Sequence, residues 1–392
     1  MEFFSDPSFF ALLAVALAGA AALGLTERPL RHYALAVSVV FLGCLFFRTP
    51  VELAALGAFL VVSRGATLWC AAAPTHARRF YAAVGLTVAP LALYKVSAVF
   101  DQSLWGFVGI SYVTFKATQV VIEVHDGLIS QDELGLEDWL SFLLFFPQFT
   151  EGPIDRSRRF AADAHATPTR DEYAGLLARG ILLLLIGAVY KMVLAELAHR
   201  FYAPAAWGSS DVGTELLAQV KTAYLYGLYL FFDFAGYSLM AMGASFCLGI
   251  RCPRNFRAPF LATDMVDFWN RWHITLSTWF RDFVFMRFTR LIMRRRLIRD
   301  RVSVAQASFV VDMLVMGFWH GVSPGYVGYG LYHGVLLAAT YGIQKRSKFY
   351  RAHRGQVWFT LVSWFVTLQL VILGFALFSG QIGMLVEGAL NG

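Results

Sequence analysis

Two histidines stand where hydrocarbon makes an ionisable ring costly. His320 closes the apolar run 303–319, SVAQASFVVDMLVMGFW, and is followed by Gly321. His273 lies upstream inside the polar-aromatic stretch 268–283, FWNRWHITLSTWFRDF. A titratable side chain in or beside a bilayer usually faces a cavity and serves a purpose there. A neutral imidazole in a low-dielectric pocket has the low basicity that a general base near neutral pH requires. Catalysis is therefore the first expectation, with His320 as a base and His273 orienting the reacting group.

Composition fixes the setting of these rings. The 392 residues are 58% hydrophobic and 16% aromatic, only 15% are charged, and the mean hydropathy is +0.57. A soluble domain of that length needs more charge to cover its surface. An all-α polytopic membrane protein is expected, a bundle of about 10–12 transmembrane helices with re-entrant and interfacial helices around a central tunnel. No internal repeat, low-complexity tract or soluble domain interrupts it, so 1–392 reads as a single membrane domain. The first apolar run lacks a basic region before it and a clean cleavage site after it, and reads as a retained span.

Spans are expected near 8–25, 33–47, 51–73, 80–99, 105–122, 174–197, 214–249, 303–319, 325–343 and 356–380. The stretch 214–249 exceeds one simple crossing and holds Asp233, Gly236 and Gly243, where a break or bend is expected. Basic residues punctuate the spans, and under the positive-inside rule their loops are cytoplasmic, with 321–325 on the outer side. Membrane topology explains the net charge of +7 better than nucleic-acid binding does. Cys44, Cys70, Cys247 and Cys252 are scattered with no paired ligand spacing, so neither a disulfide framework nor a metal site is expected.

Two segments do not read as plain spans. Residues 140–153, LSFLLFFPQFTEGP, turn from apolar to polar through Pro and Gly and look re-entrant. Residues 265–288 are amphipathic and dense in Trp, Phe and Arg, as expected of a helix lying at the cytoplasmic interface or buried against the bundle, with Trp269, Trp272, Phe280 and Phe283 along one stripe. The bland account of Arg271, His273 and Asp282 is an ion-pair set anchoring that helix. The functional account is a polar wall at a tunnel mouth.

Further on, 316–334, MGFWHGVSPGYVGYGLYHG, spaces glycines for close helix approach around Trp319 and His320. His333, at a later turn, reads as structural. Asp233, in FFDFAGYS, is an acid within an apolar span, suited to pair with a buried cation or a substrate ammonium. Residues 281–301 carry eight arginines among Phe, Leu, Ile and Met. Such a face suits anionic lipid, or an acidic partner that charge steers and apolar contact holds.

These blocks resemble the membrane-bound O-acyltransferase superfamily. FWNRWHITLSTWFRDF and GFWHG are its two most recognisable segments, and FFPQFTEGPIDRSRRF, FFDFAGYS and NFRAPF extend the likeness from about residue 105 onward. Within the superfamily, GPIDRSRRF, FRDFVFMRF and YGLYHG are more similar to the branch that moves D-alanyl groups in teichoic acid modification than to the alginate O-acetyltransferase branch. The resemblance implies a bacterial cytoplasmic membrane and a D-alanyl thioester on the phosphopantetheine arm of an acidic carrier protein, with no bound cofactor. The arm would enter from the cytoplasm, and the acyl group would pass to an extracytoplasmic hydroxyl, on a small membrane peptide or an extracellular acyltransferase. It assigns catalysis to His320 and His273, and tunnel or substrate positioning to Trp269, Asn270, Arg271, Ser277, Asp233 and Trp319. Carrier docking falls to Met286, Arg287, Arg290 and Arg294. Acetylation of an extracellular polysaccharide is the alternative, and a transporter the reading from another class.

Overall fold

A computed structural model describes residues 2–97, 100, 106–202 and 212–384. Among them the chain is all-α: α1 Pro7–Gly24, α2 Arg31–Phe46, α3 Pro50–Ala71, α4 Ala77–Ser97, α5 Ile110–His125, α6 Leu136–Leu144, α7 Ser157–His165, α8 Arg170–Ala188, α9 Glu196–Phe201, α10 Val212–Cys247, α11 Met265–Trp269, α12 Ile274–Phe280, α13 Met286–Arg295, α14 Arg301–His320, α15 Pro324–Arg346, α16 Lys348–His353 and α17 Val357–Phe378. Seven helices among the described residues are long and apolar enough to cross a membrane, one of them running from Arg170 to Phe201 through a π-helical turn. The other expected spans are also helical, as α2, α5 and α15. Positions 98–99 and 105, at the ends of two expected spans, lie outside the described residues. The protein is a multi-pass membrane protein.

Two compact units organise the chain, one of Met1–Val189 with Gly236–Arg254, the other of Tyr190–Ala235 with Asn255–Gly392.

In the first unit the expected re-entrant segment is built from α6, a 3₁₀ turn at Phe146–Gln148 and an irregular run into α7. Its backbone polar groups, which hydrocarbon would leave unsatisfied, find protein partners. Lys116, fully buried on α5, donates to the Phe142 carbonyl at 2.9 Å, and the Phe146 N–H donates to Ser38 Oγ at 3.2 Å. Phe146 stacks on Phe41 with ring centroids 4.1 Å apart, and the Thr150 and Tyr237 hydroxyls bond each other. Gly109 takes φ +87° where a Cβ would fall 2.6 Å from the Phe149 carbonyl oxygen, so only glycine fits beneath this segment. Arg31 anchors α6 through Glu137 at 3.0 Å and Asp138 at 3.1 Å.

The expected break in 214–249 does not occur: α10 runs unbroken for 36 residues. Its glycines serve a helix crossing instead. A Cβ on Gly243 would sit 2.6 Å from the Gly180 carbonyl oxygen, and one on Gly187 would sit 2.7 Å from that of Gly236. Small residues in register on two helices let the backbones approach while each keeps its own hydrogen bonds.

In the second unit α14 and α15 form an antiparallel hairpin on the same principle. A Cβ on Gly330 would meet the Met313 carbonyl oxygen at 2.5 Å and Gly317 Cα at 3.1 Å. Asp300 caps α14 by accepting from the Ser303 N–H at 2.9 Å, Pro324 opens α15, and α17 packs on α15.

The segment 265–288 departs most from expectation. It is not one continuous helix. Short α11 ends at Trp269, a turn carries Asn270–His273, α12 follows, and a π-helical turn at Arg281–Phe285 leads into α13. The segment 255–257 imposes the break. Arg257 N–H donates to the Arg271 carbonyl at 3.0 Å and Ile274 N–H donates to the Asn255 carbonyl at 2.8 Å. Asn255 Oδ1 also takes the Thr275 hydroxyl at 2.5 Å. The proposed single stripe of Trp269, Trp272, Phe280 and Phe283 is thereby split. Trp272 joins a cluster with Phe268, Phe256 and Phe375, while Trp279 sits with Phe280 and Phe283.

Candidate active site

Every residue of the site described below belongs to the second unit. His273 terminates the turn after α11 in the left-handed region, φ 42° and ψ 52°. That conformation swings its ring inward, where it is 4% exposed and lies edge-on to Phe234 at 4.6 Å. Its Nε2 is buried with no hydrogen-bond partner. Burial drives its pKa down from 6.5 to about 3, and repulsion from His320 adds to the shift.

His320 is the last residue of α14, half-buried, with extended Gly321 as its cap. Aromatic rings surround it: Trp319 at 4.4 Å, Phe378 at 4.9 Å, Tyr326 at 6.0 Å and Tyr329 at 6.1 Å. The arrangement holds the imidazole at the end of a span, as a base working at an aqueous boundary would need.

Beside the turn bearing His273 lies a cavity of about 150 Å³ whose lining includes Trp269, Asn270, Ser277, Arg281, Asp312 and Met316. Three of the expected positioning residues, Trp269, Asn270 and Ser277, therefore meet at one cavity. Ser277 Oγ donates to the His273 carbonyl at 3.1 Å, which ties α12 to the histidine's turn.

The other expected positions are engaged elsewhere. Arg271 turns to Asp267, Nε to Oδ1 2.7 Å, and Asp233 pairs with Lys191, Nζ to Oδ1 2.5 Å. Trp319 stands beside His320. Met286, Arg290 and Arg294 are exposed on or at the start of α13 and Arg287 is half-buried, while Ile292 turns inward. Sequence reasoning passed over two members of the unit, Asp312 and Lys191. Both were visible as lone charges in apolar runs, the signal that singled out Asp233.

A profile described as "MBOAT, membrane-bound O-acyltransferase family" matches residues 76–379. The chain belongs to the membrane-bound O-acyltransferase family. It is an acyltransferase. Among its relatives, a "Teichoic acid D-alanyltransferase" from Bacillus subtilis is 36% identical over 392 residues, covering 96% of this chain and 98% of that protein. A protein of the same name from Streptococcus thermophilus is 40% identical over 314 residues, covering 77% of this chain and 75% of the other. A "Probable alginate O-acetylase" from Pseudomonas aeruginosa is 30% identical over 281 residues, covering 70% of this chain and 49% of that protein. Family membership thus reaches further toward the N-terminus than the motifs, which begin near residue 105, because the first helices carry apolar character but no distinctive side-chain chemistry.

Proposed function

We propose that this acyltransferase moves a D-alanyl group from a carrier-protein thioester to an extracytoplasmic hydroxyl, for D-alanylation of a teichoic acid-type envelope polymer in a bacterial cytoplasmic membrane. The observation that carries the reading is the likeness along nearly the whole of both chains to a teichoic acid D-alanyltransferase. The histidine pair supplies the chemistry.

In this mechanism an acidic carrier docks on the basic, apolar face around Met286, Arg287, Arg290 and Arg294, and its phosphopantetheine arm reaches inward. His320 accepts the proton of the acceptor hydroxyl. The hydroxyl oxygen bonds to the thioester carbonyl carbon, the carbon–sulfur bond breaks, and the thiolate leaves with the arm and takes up the proton. His273, neutral, positions the thioester. The acceptor hydroxyl belongs to a small membrane peptide or an extracellular acyltransferase. A thioester is already activated, so near-attack alignment and general-base help, together worth many powers of ten, suffice for the step.

The test uses membranes from a deletion strain carrying the wild-type or variant gene, supplied with labelled D-alanyl carrier. Base-labile label in the membrane fraction is expected for the wild type, with His320→Ala lowering its rate by about 10²–10⁴-fold. Full incorporation by His320→Ala sinks the assignment of the base. The alginate O-acetylase relatives favour a second reading, O-acetylation of a polysaccharide. Mass spectrometry of the envelope polymer separates ester-linked alanine from acetate.

A further inference from the structure

Asp312 is the one acidic residue on the lining of the 150 Å³ cavity, and it is 7% exposed. Phe285, from the π-helical turn, lines the same cavity. Its Oδ1 is buried without a hydrogen-bond partner. Arg281, the cation on the lining, is turned to Asp282 at 3.0 Å. Apolar side chains of Val266, Ile274, Phe309, Met313, Met316 and Leu337 make up much of the remaining wall. A carboxylate in such a place is costly unless something pairs with it. The cavity therefore presents one carboxylate to a compact cationic or hydrogen-bond-donating group.

Its distance from the proposed base fits one such group. Asp312 and His320 share α14 eight residues apart, about 12 Å along the axis. An ammonium on Asp312 would lie about 2.8 Å from the carboxylate. In an α-aminoacyl group the carbonyl carbon is about 2.5 Å beyond that nitrogen, across two bonds. An attacking oxygen stands about 3–3.5 Å from that carbon, and a base about 3 Å from the oxygen. Laid end to end, these contacts come to about 11–12 Å. Met316 brings the cavity wall to within one helical turn of His320.

We infer that Asp312 is the counter-ion for the α-ammonium of the transferred acyl group, and so the residue by which this enzyme selects an aminoacyl over a plain acyl thioester. The inference rests on the D-alanyl reading above. It adds the residue that would separate that reading from acetyl transfer.

The experiment charges the carrier with D-alanyl, propionyl or D-lactyl groups, which share one skeleton and differ in bearing an ammonium, a hydrogen or a hydroxyl. Wild type and Asp312→Asn are compared as kcat/KM for transfer into deletion-strain membranes. Wild type is expected to favour D-alanyl over propionyl by about 10²-fold or more, since a buried polar group built for a partner rejects an analogue lacking it. In Asp312→Asn that ratio is expected to fall to within about threefold of unity. A merely structural role would lower all three rates by one factor and leave the ratio standing, and this overturns the inference alone. The propionyl rate of the same variant reports folding. Asp312→Glu, which keeps the charge, should recover part of the D-alanyl preference. A wild type that transfers propionyl as well as D-alanyl overturns the D-alanyl reading itself, and the assignment of Asp312 falls with it.

Discussion

Trp269 donates its indole N–H to His333 Nδ1 at 3.3 Å, joining the cavity wall to the core of α15. His333 is fully buried among Tyr329, Tyr332 and Phe268, and its Nε2 faces α17 where a Cβ on Gly374 would fall only 2.4 Å away. The histidine is thus a structural support for a residue of the site, and Gly374 is the space it needs.

His333→Phe should leave the Trp269 N–H buried and unpaired, which costs about 1–3 kcal/mol. Gly374→Val should do comparable damage by forcing α15 and α17 apart. Scanning fluorimetry in detergent is expected to show a lowered melting temperature for both. Turnover should fall less than in His320→Ala, because neither change removes the proposed base. Loss of activity at unchanged stability would instead place His333 in the chemistry.

His273 has a backbone duty as well as a ring. Its left-handed conformation costs an ordinary residue about 1–2 kcal/mol, and asparagine tolerates it better than a β-branched residue. His273→Asn should therefore fold close to wild type while losing turnover, and His273→Val should lose both. The ring also sets an acid limit. The unfolded chain protonates it near pH 6.5, whereas burial holds the folded value near 3. Between those limits the unfolded state binds more protons, so stability falls as pH drops below about 6.5, by up to about 1.4 kcal/mol per pH unit. Melting temperatures at pH 7.5 and 5.0 should separate more widely for wild type than for His273→Asn.

The difference between these two histidines shows what sequence could reveal. His320 was legible because a polar residue ending an apolar run stands out by hydropathy alone, and the helices around it followed from the same pattern. The fold of the His273 segment was not legible. Its Trp and Arg spacing suits a continuous helix, and the break comes from hydrogen bonds to Asn255 and Arg257, which no local pattern encodes. The glycines of α10 misled for a related reason: a glycine marks a bend or a close approach alike, and only the presence of Gly180 opposite Gly243 decides between them.

That crossing is itself testable. Gly243→Leu places a side chain where even a Cβ would lie 2.6 Å from the Gly180 carbonyl oxygen, so α8 and α10 must separate. Folded yield and melting temperature should both drop. Gly175→Leu, on α8 with nothing within 4 Å of its Cβ position, should be tolerated. Equal effects would mean that helix propensity, and not the crossing, governs these positions.

Asp233 and Lys191 form the remaining pair, with side chains 30% and 17% exposed. Removing one partner leaves a charge in an apolar helix surface, which costs more than removing both. Asp233→Asn and Lys191→Met should each lower the melting temperature by several degrees, and the double variant should recover much of the loss. If Asp233 serves only this pair, the double variant also recovers turnover with D-alanyl carrier. Turnover that stays low in a restored fold would return Asp233 to the substrate-positioning role expected from sequence, so stability and activity must be read on the same preparations.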